Sequence, residues 1–358
     1  KEQQDILEFN MGCSRFVFNH IKALYEIYRK QAIEYGLKPI YANRKLFNTI
    51  LNHLKKYYSF LKEANSTALQ KAYDNLISAY KMVGKAHNGW VKFKSRKNPV
   101  QSFRTLNIKI IKGKLKVPKI KSLIPIKYSR KIKGDILTAT ITRNNSNQYF
   151  VSINVKNSPV KPLKKSNKKI GIDLGLKDMA TFSNGFKTGK IHLKEIDNKI
   201  KRQNQILSKR VKNGCNWSKA KTKLNTLYQK KKNIINDFLH KTTTQLVHTF
   251  DEIYIGNVTS QLGLKNKYLA KTADQHWYEF KRQLEYKSNW YDKTFRVVNE
   301  NYTSKTCNNC GYITELDLSI LQWICPECSI EHDRDVNAAV NILTVGTTEL
   351  AFNKTNKE

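Results

Sequence analysis

The stretch IGIDLG at residues 170–175 decides the expected fold, because it has the form of a buried β-strand that ends in a carboxylate. Its branched apolar residues favour a strand, and Asp173 follows where the strand leaves the core. A second short strand is expected at residues 179–181. Such an aspartate suits a metal-dependent phosphodiesterase of the ribonuclease H type, in which carboxylates from a later strand and a later helix meet it. Sugar-kinase and chaperone ATPases open in the same way, and an ordinary strand-end aspartate is a further alternative.

The segments on either side of this strand predict an α/β domain. A lysine-rich linker with Pro162 precedes it and marks a domain boundary. Residues 194–250 return to helical spacing and predict one or two long helices. Strands are expected at 253–255 and 295–298, with a helix through Trp277, Phe280 and Leu284 between them and a short helix over 336–343 at the end.

The first half of the chain has a different periodicity. Apolar residues at helical spacing predict three amphipathic helices between residues 12 and 86. From about residue 99 the period falls to two, and Lys112-Gly113 marks a tight turn between two short strands. A small antiparallel β module is therefore expected over residues 96–158.

The charge of the chain predicts a polyanionic partner. Lys and Arg number 65 against 28 Asp and Glu, which leaves a formal net charge of +37. At 40% hydrophobic residues the chain is too apolar for a disordered basic tail, so the charge must lie on folded surfaces. No apolar run approaches the roughly 18 residues that a membrane span requires. We therefore expect a folded, cytoplasmic nucleic-acid binder associated with the bacterial nucleoid, with no membrane partner.

Four of the six cysteines predict a structural metal site. Cys307 and Cys310 form one CxxC pair, and Cys325 and Cys328 form another after fourteen intervening residues. Each pair can direct two thiolates at one tetrahedral ion, so the spacing indicates zinc without an open coordination position. Disulfides or unrelated free thiols are the alternatives.

A second candidate carboxylate follows the cysteines. In the stretch HDRDVNAA at residues 332–339, Asp335 opens a short apolar helix. An acidic residue at this place could merely cap the helix or interact with its dipole. Paired with Asp173, it could instead belong to a metal-dependent nuclease site.

These motifs resemble the TnpB family of transposon-encoded, RNA-guided proteins, which is also similar to the smallest type V CRISPR effectors. The resemblance rests on GIDLGLKDMAT (171–181), HWYEFKRQLEYKSNWY (276–291), TSKTCNNCG (303–311) and CPECSIEHDRDVNAAVNIL (325–343). It implies a multi-domain α+β protein with a helical recognition bundle, a small β-barrel wedge module and an RNase-H-like (RuvC) α/β domain with an inserted four-Cys zinc finger. The expected boundaries are 1–11 for the first part of the wedge, 12–95 for the helical domain, 96–158 for the barrel, 168–300 and 331–345 for the RuvC-like domain, 301–330 for the zinc finger and 346–358 for a tail.

The resemblance also implies cofactors and partners. A guide RNA and a target double-stranded DNA with a short adjacent motif are expected, with structural Zn and, where the nuclease site is intact, Mg. The basic segments predict contacts with the guide:target duplex. The residues chosen for this role are Lys201, Arg202, Lys209, Arg210, Lys230, Lys231, Lys232, Arg282 and Lys287.

One position departs from the family pattern. After the strand at 253–255 the family places a catalytic glutamate, where this chain has Gly256. Asp173 and Asp335 would then be remnants of the nuclease site, as in nuclease-dead TnpB-derived repressors that occupy DNA without cutting it. Another acid could replace the missing one; Glu252 is about four strand residues, or roughly 13 Å, away, and Asp274 and Glu279 are further candidates.

Three functions follow from this sequence. The first is a guide-RNA-directed, nuclease-dead transcriptional repressor. The second is an active RNA-guided, Mg-dependent DNA endonuclease with a displaced acid. The third is a zinc-ribbon RNA-binding structural protein, which needs neither target DNA nor an RNase-H-like core.

Overall fold

The computed structural model describes residues 2–83, 85, 89–158, 160–175, 177–257, 267–317 and 320–355, without the side chains of 267–275 and 349–355. The chain divides into two compact units. The first comprises residues 1–159 and 211–226, and the second comprises 160–210 and 227–358. No helix within the described ranges is long and apolar enough to cross a membrane.

Three helices form one part of the first unit, as their apolar spacing predicts. They are α1 (Glu2–Glu34), α2 (Arg44–Tyr57) and α3 (Ser66–Met82), with a short 3₁₀ helix at Ser59–Lys62. Asn43 and Asn65 cap α2 and α3 by accepting from backbone N–H groups in the first turns. Helix α1 is longer than expected, because residues 2–11 continue it rather than forming a separate segment.

The β module of the first unit consists of two three-stranded antiparallel sheets. One has the order β1-β5-β6 and the other β2-β3-β4. Their bounds are β1 (Gln101–Leu106), β2 (Lys109–Ile111), β3 (Lys114–Lys116), β4 (Ile124–Pro125), β5 (Asp135–Arg143) and β6 (Tyr149–Lys156). Lys112 and Gly113 both have positive φ and join β2 to β3 in the tight turn expected from the sequence. Leu7 and Met11 of α1 pack into the core of this module, whereas closure into a barrel stays a prediction.

The second unit is built on a four-stranded sheet of order β10-β9-β7-β8. Its strands are β7 (Lys169–Asp173), β8 (Thr181–Phe182), β9 (Glu252–Gly256) and β10 (Thr294–Val298). Strands β7, β9 and β10 are parallel, and β8 is antiparallel to β7. Because parallel strands end at the same edge of a sheet, the residues after β7, β9 and β10 meet there.

Among the described residues, four helices and a small hairpin complete this unit. The helices are α4 (Lys194–Ser208), α5 (Cys215–Thr249, whose first turns belong to the first unit), α6 (Lys267–Tyr291) and α7 (Arg334–Thr355). The hairpin pairs β11 (Gln322–Ile324) with β12 (Glu331–Asp333). The sequence-based bounds for the last helix and the tail were wrong, because α7 continues from 334 through 355 without a break at 343 or 346.

Helix α7 lies unusually close to the sheet at two glycines. A Cβ on Gly171 of β7 would lie 2.1 Å from the carbonyl oxygen of Ala339, and a Cβ on Gly346 would lie 2.2 Å from the ring of Tyr254 in β9. Only glycine permits this backbone approach. The two contacts fix the position of α7 across β7 and β9.

The substitution Gly171→Ala tests this packing. We expect it to lower the free energy of unfolding of the second unit by about 1 to 3 kcal/mol, because the added methyl group must displace helix backbone. The shift would be measured as a lower midpoint of urea denaturation. Gly89→Ala is the control, because a Cβ there meets nothing within 4 Å; equal midpoints for the two variants would contradict the close approach.

Candidate active site and metal centre

Asp173 lies at the edge of the sheet where the parallel strands end. Ile172 of β7 pairs with Ile255 of β9. The next residues of the two strands, Asp173 and Gly256, therefore lie at the same level of the sheet. On its other side Asp173 pairs with Thr181 of β8. The aspartate therefore stands at the carboxyl end of a central strand, which is the usual position for ligand-binding residues in sheets of this type.

Asp335 lies in the first turn of α7, but it is not the residue that caps the helix. Asp333 Oδ1 accepts hydrogen bonds from the backbone N–H groups of Asp335 and Val336, both at 3.1 Å. Asp333 Oδ2 forms an ion pair with Lys187 Nζ at 2.7 Å. Asp333, and not Asp335, therefore caps the helix. The Asp335 carboxylate contacts the guanidinium of Arg334 at 3.2 Å.

A third carboxylate lies over Gly256. This glycine is the last residue of β9 and pairs with Val298 of β10, so Glu300 lies two residues beyond the end of the adjacent strand. A Cβ on Gly256 would lie 2.3 Å from Glu300 Oε2 and 3.2 Å from Glu300 Cβ. The side chain of Glu300, two residues beyond β10, thus occupies the space that a side chain at position 256 would need.

The electrostatics show that Asp173 shares its surroundings with both other carboxylates. Burial foremost, and then the charges of Asp335 and Glu300, raise the pKa of Asp173 to about 8, while the charge of Arg334 lowers it. Burial also raises the pKa of Glu300, against the charge of Lys281. A cation bound between these oxygens would favour their ionised forms, so the group has the donor chemistry of a site for a hard, oxygen-preferring ion such as Mg²⁺.

Two of the three acids considered from the sequence, Glu252 and Glu279, lie elsewhere. Glu252 lies at the opposite end of β9, where its Oε2 is 3.0 Å from Lys169 Nζ. Glu279 forms hydrogen bonds with Arg282 and Gln283 on its own helix, and these bonds, the Arg282 ones foremost, lower its pKa to about 2. The side chain of Asp274 lies outside the described residues.

Glu300 was not among the replacement acids predicted from the sequence, which lie on β9 and α6. The signal was present in the sequence, since Asn299-Glu300 directly follows the predicted strand 295–298. If strands 253–255 and 295–298 are parallel neighbours, their following residues meet at one edge. The register between the two strands was the missing information.

The four predicted zinc ligands come together. Their sulfur atoms all lie within 4.8 Å of one another, with 3.6 Å between Cys307 and Cys328 and 3.6 Å between Cys310 and Cys325. Tetrahedral zinc with Zn–S bonds of about 2.3 Å separates its sulfur ligands by about 3.8 Å. The donor set and spacing therefore fit one such ion.

The local fold of the cysteine cluster explains this geometry. Gly311 and Ser329 have positive φ, and each donates its N–H to the carbonyl of the first cysteine of its CxxC pair. His332 Nε2 lies 3.1 Å from Cys307 Sγ, within hydrogen-bond distance of the sulfur. Backbone hydrogen bonds thus close both CxxC turns.

The predicted nucleic-acid contacts divide into two groups. Most are exposed, namely Lys201, Arg202, Lys209, Arg210, Lys230, Lys232 and Arg282. Lys231 forms an ion pair with Asp197, and Arg282 forms one with Glu279. The prediction for Lys287 was wrong, because this lysine is 5% exposed and its Nζ donates to Thr243, Thr244 and the carbonyl of His240 between α5 and α6.

The cysteine cluster leads to a prediction about metal content. We expect one zinc per chain, lost on Cys325→Ser together with the fold of the hairpin, because structural zinc contributes roughly 10 to 16 kcal/mol of apparent binding free energy in small sites. Metal analysis and thiol titration measure both effects. Cys215→Ser is the control at an exposed cysteine outside the cluster. Native protein without zinc, with all four thiols open to iodoacetamide, would contradict the assignment.

Known proteins resemble the chain in sequence and in fold. Residues 152–265 match a family model described as probable transposase (OrfB_IS605), and residues 277–342 match one described as the TNB domain of Cas12f1-like proteins. A Streptomyces pristinaespiralis protein named for RNA-guided DNA endonuclease activity is 29% identical, over 96% of this chain and 86% of its own. InsQ of Escherichia coli (strain K12), named in the same way, is 28% identical over 82% of this chain and 77% of its own.

The fold gives an independent comparison. The Cas12f1 chain of a Cas12f1-sgRNA-target DNA complex superimposes with a TM-score of 0.56, at 15% identity, over 96% of this chain and 82% of that chain. At this identity the likeness concerns the fold alone. It agrees with the two family models, which together cover most of the second unit. From its motifs, its relatives and its fold, the chain belongs to the TnpB family.

Proposed function

We propose that this protein is a guide-RNA-directed DNA endonuclease whose metal-binding carboxylates are Asp173, Asp335 and Glu300. The observation that carries the proposal is the position of Glu300, whose Oε2 lies where a side chain at Gly256 would be. The family's middle acid is absent from β9, and a carboxylate that lies two residues beyond the neighbouring strand β10 fills its space. The nuclease-dead prediction assumed that this space holds no acid.

The arrangement of the three acids supports cleavage rather than simple occupancy of DNA. Burial, and after it the charges of Asp335 and Glu300, raise the pKa of Asp173 to about 8. Burying and crowding carboxylates in this way costs stability unless a cation offsets their charge. A chain that only binds DNA gains nothing from a partly buried carboxylate over Gly256. The repressor remains the competing proposal, and the residue in its favour is Gly256 at the position of the family's glutamate.

The residues of the chain have distinct roles in this proposal. Bound divalent metal would supply an activated water and stabilise the leaving oxygen in phosphodiester hydrolysis. Asp173 is held on a central strand and Asp335 on the first turn of a helix, so both ligands have little freedom. Arg334, which contacts Asp335, brings a positive charge to the edge where a phosphate would lie.

The partners in the proposal are a guide RNA and a target DNA duplex with a short adjacent motif. The net charge of +37 provides phosphate affinity without sequence choice. Base pairing with the guide would supply the sequence choice, while the protein would contact the sugar-phosphate backbone of the duplex. The relatives are named as RNA-guided, and Cas12f1 is solved with a guide RNA and target DNA. The exposed lysines and arginines of α4 and α5 are the proposed contacts.

Family membership weighs against the third function. A zinc-ribbon RNA-binding structural protein needs no parallel sheet with three carboxylates at one edge. Sequencing the RNA that copurifies with the protein separates the two classes. One enriched structured RNA with a variable end supports guided binding, whereas bulk ribosomal RNA supports the structural protein.

The substitution Glu300→Gln tests the third carboxylate. It keeps the side chain's size and removes its charge, so we expect weaker Mn²⁺ binding, measured by electron paramagnetic resonance, and loss of target cutting by at least about 10-fold. Binding of the RNA-loaded protein to matched DNA should be unchanged. Glu285→Gln, at an exposed glutamate of α6, is the matched control. Native Mn²⁺ binding and native cutting in Glu300→Gln would exclude the assignment.

The exchange of positions gives a second test. Gly256→Glu alone should impair cutting, because the new side chain collides with Glu300 and with Ile342, whose Cδ1 would be 3.2 Å from the added Cβ. The double variant Gly256→Glu, Glu300→Gly should bind Mn²⁺ better than Glu300→Gly alone. Equal Mn²⁺ binding in the double and single variants would show that positions 256 and 300 do not serve the same site.

A further inference from the structure

The turn that carries Glu300 also leads into the cysteine cluster. Only six residues separate Glu300 from Cys307, and Thr303 closes the turn with two hydrogen bonds. Its N–H and its Oγ1 donate to the carbonyl of Glu300 at 3.2 and 2.8 Å. The backbone of Glu300 is therefore held by Thr303, which is itself buried.

Two asparagines of α7 hold this turn from the other side. Asn337 Nδ2 donates to the carbonyls of Thr303 and Thr306 at 3.2 and 2.8 Å. Asn341 Nδ2 donates to the same two carbonyls at 2.8 and 2.7 Å. Residues four apart lie on one face of a helix, so both amides reach the turn together.

Asn337 also contacts the cysteine cluster directly. Its Oδ1 accepts from the N–H of Asn308 at 2.9 Å, and Asn308 lies between the first two cysteines. Asn337 is 1% exposed, so each of its polar atoms is used inside the protein. One buried side chain thus joins helix α7, the turn after Glu300 and the first CxxC pair.

Asp335 lies in the first turn of the same helix. The face of α7 that contains Ala339 and Gly346 packs on the sheet, and the face that contains Asn337 and Asn341 packs on the turn. The position of Glu300 relative to Asp335 is consequently set by α7. Carboxylates that bind one metal site must hold their separation to within about 0.5 Å.

We propose that Asn337 and Asn341 are positioning residues, which align Glu300 with Asp335 and tie that alignment to the folded cysteine cluster. The inference rests on the proposed function and extends it to residues that touch neither metal nor DNA. Two amides on two carbonyls fix both the distance and the direction of the turn, which apolar packing would not do. Loss of the amides leaves the helix and the sheet intact and frees the turn.

The experiment uses the full RNA-loaded protein with Asn341→Asp and Asn341→Ala. The first is isosteric and places an acceptor opposite two carbonyls, and the second removes the donor without adding charge. Thr344→Asp, on the exposed face of the same helix, adds the same charge and is the control. Mn²⁺ binding by electron paramagnetic resonance, zinc content, matched-DNA affinity and single-turnover cutting are measured for each.

Both Asn341 variants should bind Mn²⁺ about 10-fold more weakly and cut about 10- to 100-fold more slowly, with native zinc content and DNA affinity. Thr344→Asp should behave as native. Native Mn²⁺ affinity in Asn341→Ala would overturn the inference, and so would loss of zinc, because the defect would then be unfolding of the cluster. If Glu300→Gln left the Mn²⁺ binding of the complex unchanged, the proposed function would instead be refuted, and the positioning role with it.

Discussion

The close approach of helix α7 to strand β7 at Gly171 is the constraint on which the site depends. With no Cβ at this position, the backbone of α7 passes where a side chain of β7 would lie. Asp335 at the start of the helix is thereby brought beside Asp173 at the end of the strand, and its charge raises the pKa of Asp173. The second glycine contact, between Gly346 and Tyr254, keeps the helix from pivoting about the first.

At this edge of the sheet, acids that follow either of two neighbouring strands can reach the same place. Strands β9 and β10 are parallel neighbours about 4.8 Å apart, and a glutamate side chain easily spans that distance. An acid at the end of either strand can therefore reach the same point. Under the proposed function, Gly256 and Glu300 represent one exchange, since the side chain of Glu300 fills the space that a side chain at position 256 would need. A missing motif residue on one strand is thus weak grounds for inactivity until the neighbouring strand is considered.

Much of this architecture could be predicted from local sequence. The strand ending at Asp173, the tight turn at Lys112-Gly113 and the convergence of four cysteines each depend on short-range patterns, and each is confirmed. Register between distant strands is a different matter. The role of Glu300 depends on Val298 pairing with Gly256, more than forty residues earlier, and no periodicity in either strand reveals that pairing. The prediction that Lys287 contacts nucleic acid failed for a similar reason. The sequence of an amphipathic helix does not reveal that threonines of another helix enclose one of its lysines.

Cutting of matched DNA by the native complex tests the central claim most directly. The protein, purified with its copurifying RNA, would be incubated with a supercoiled plasmid that carries the sequence matched by that RNA. With Mg²⁺ present, strand scission at the matched site, and none on a mismatched plasmid, is the predicted result. Tight, RNA-dependent binding to the matched plasmid with both strands left intact would contradict it, and would show that the carboxylate of Glu300 does not complete a working nuclease site.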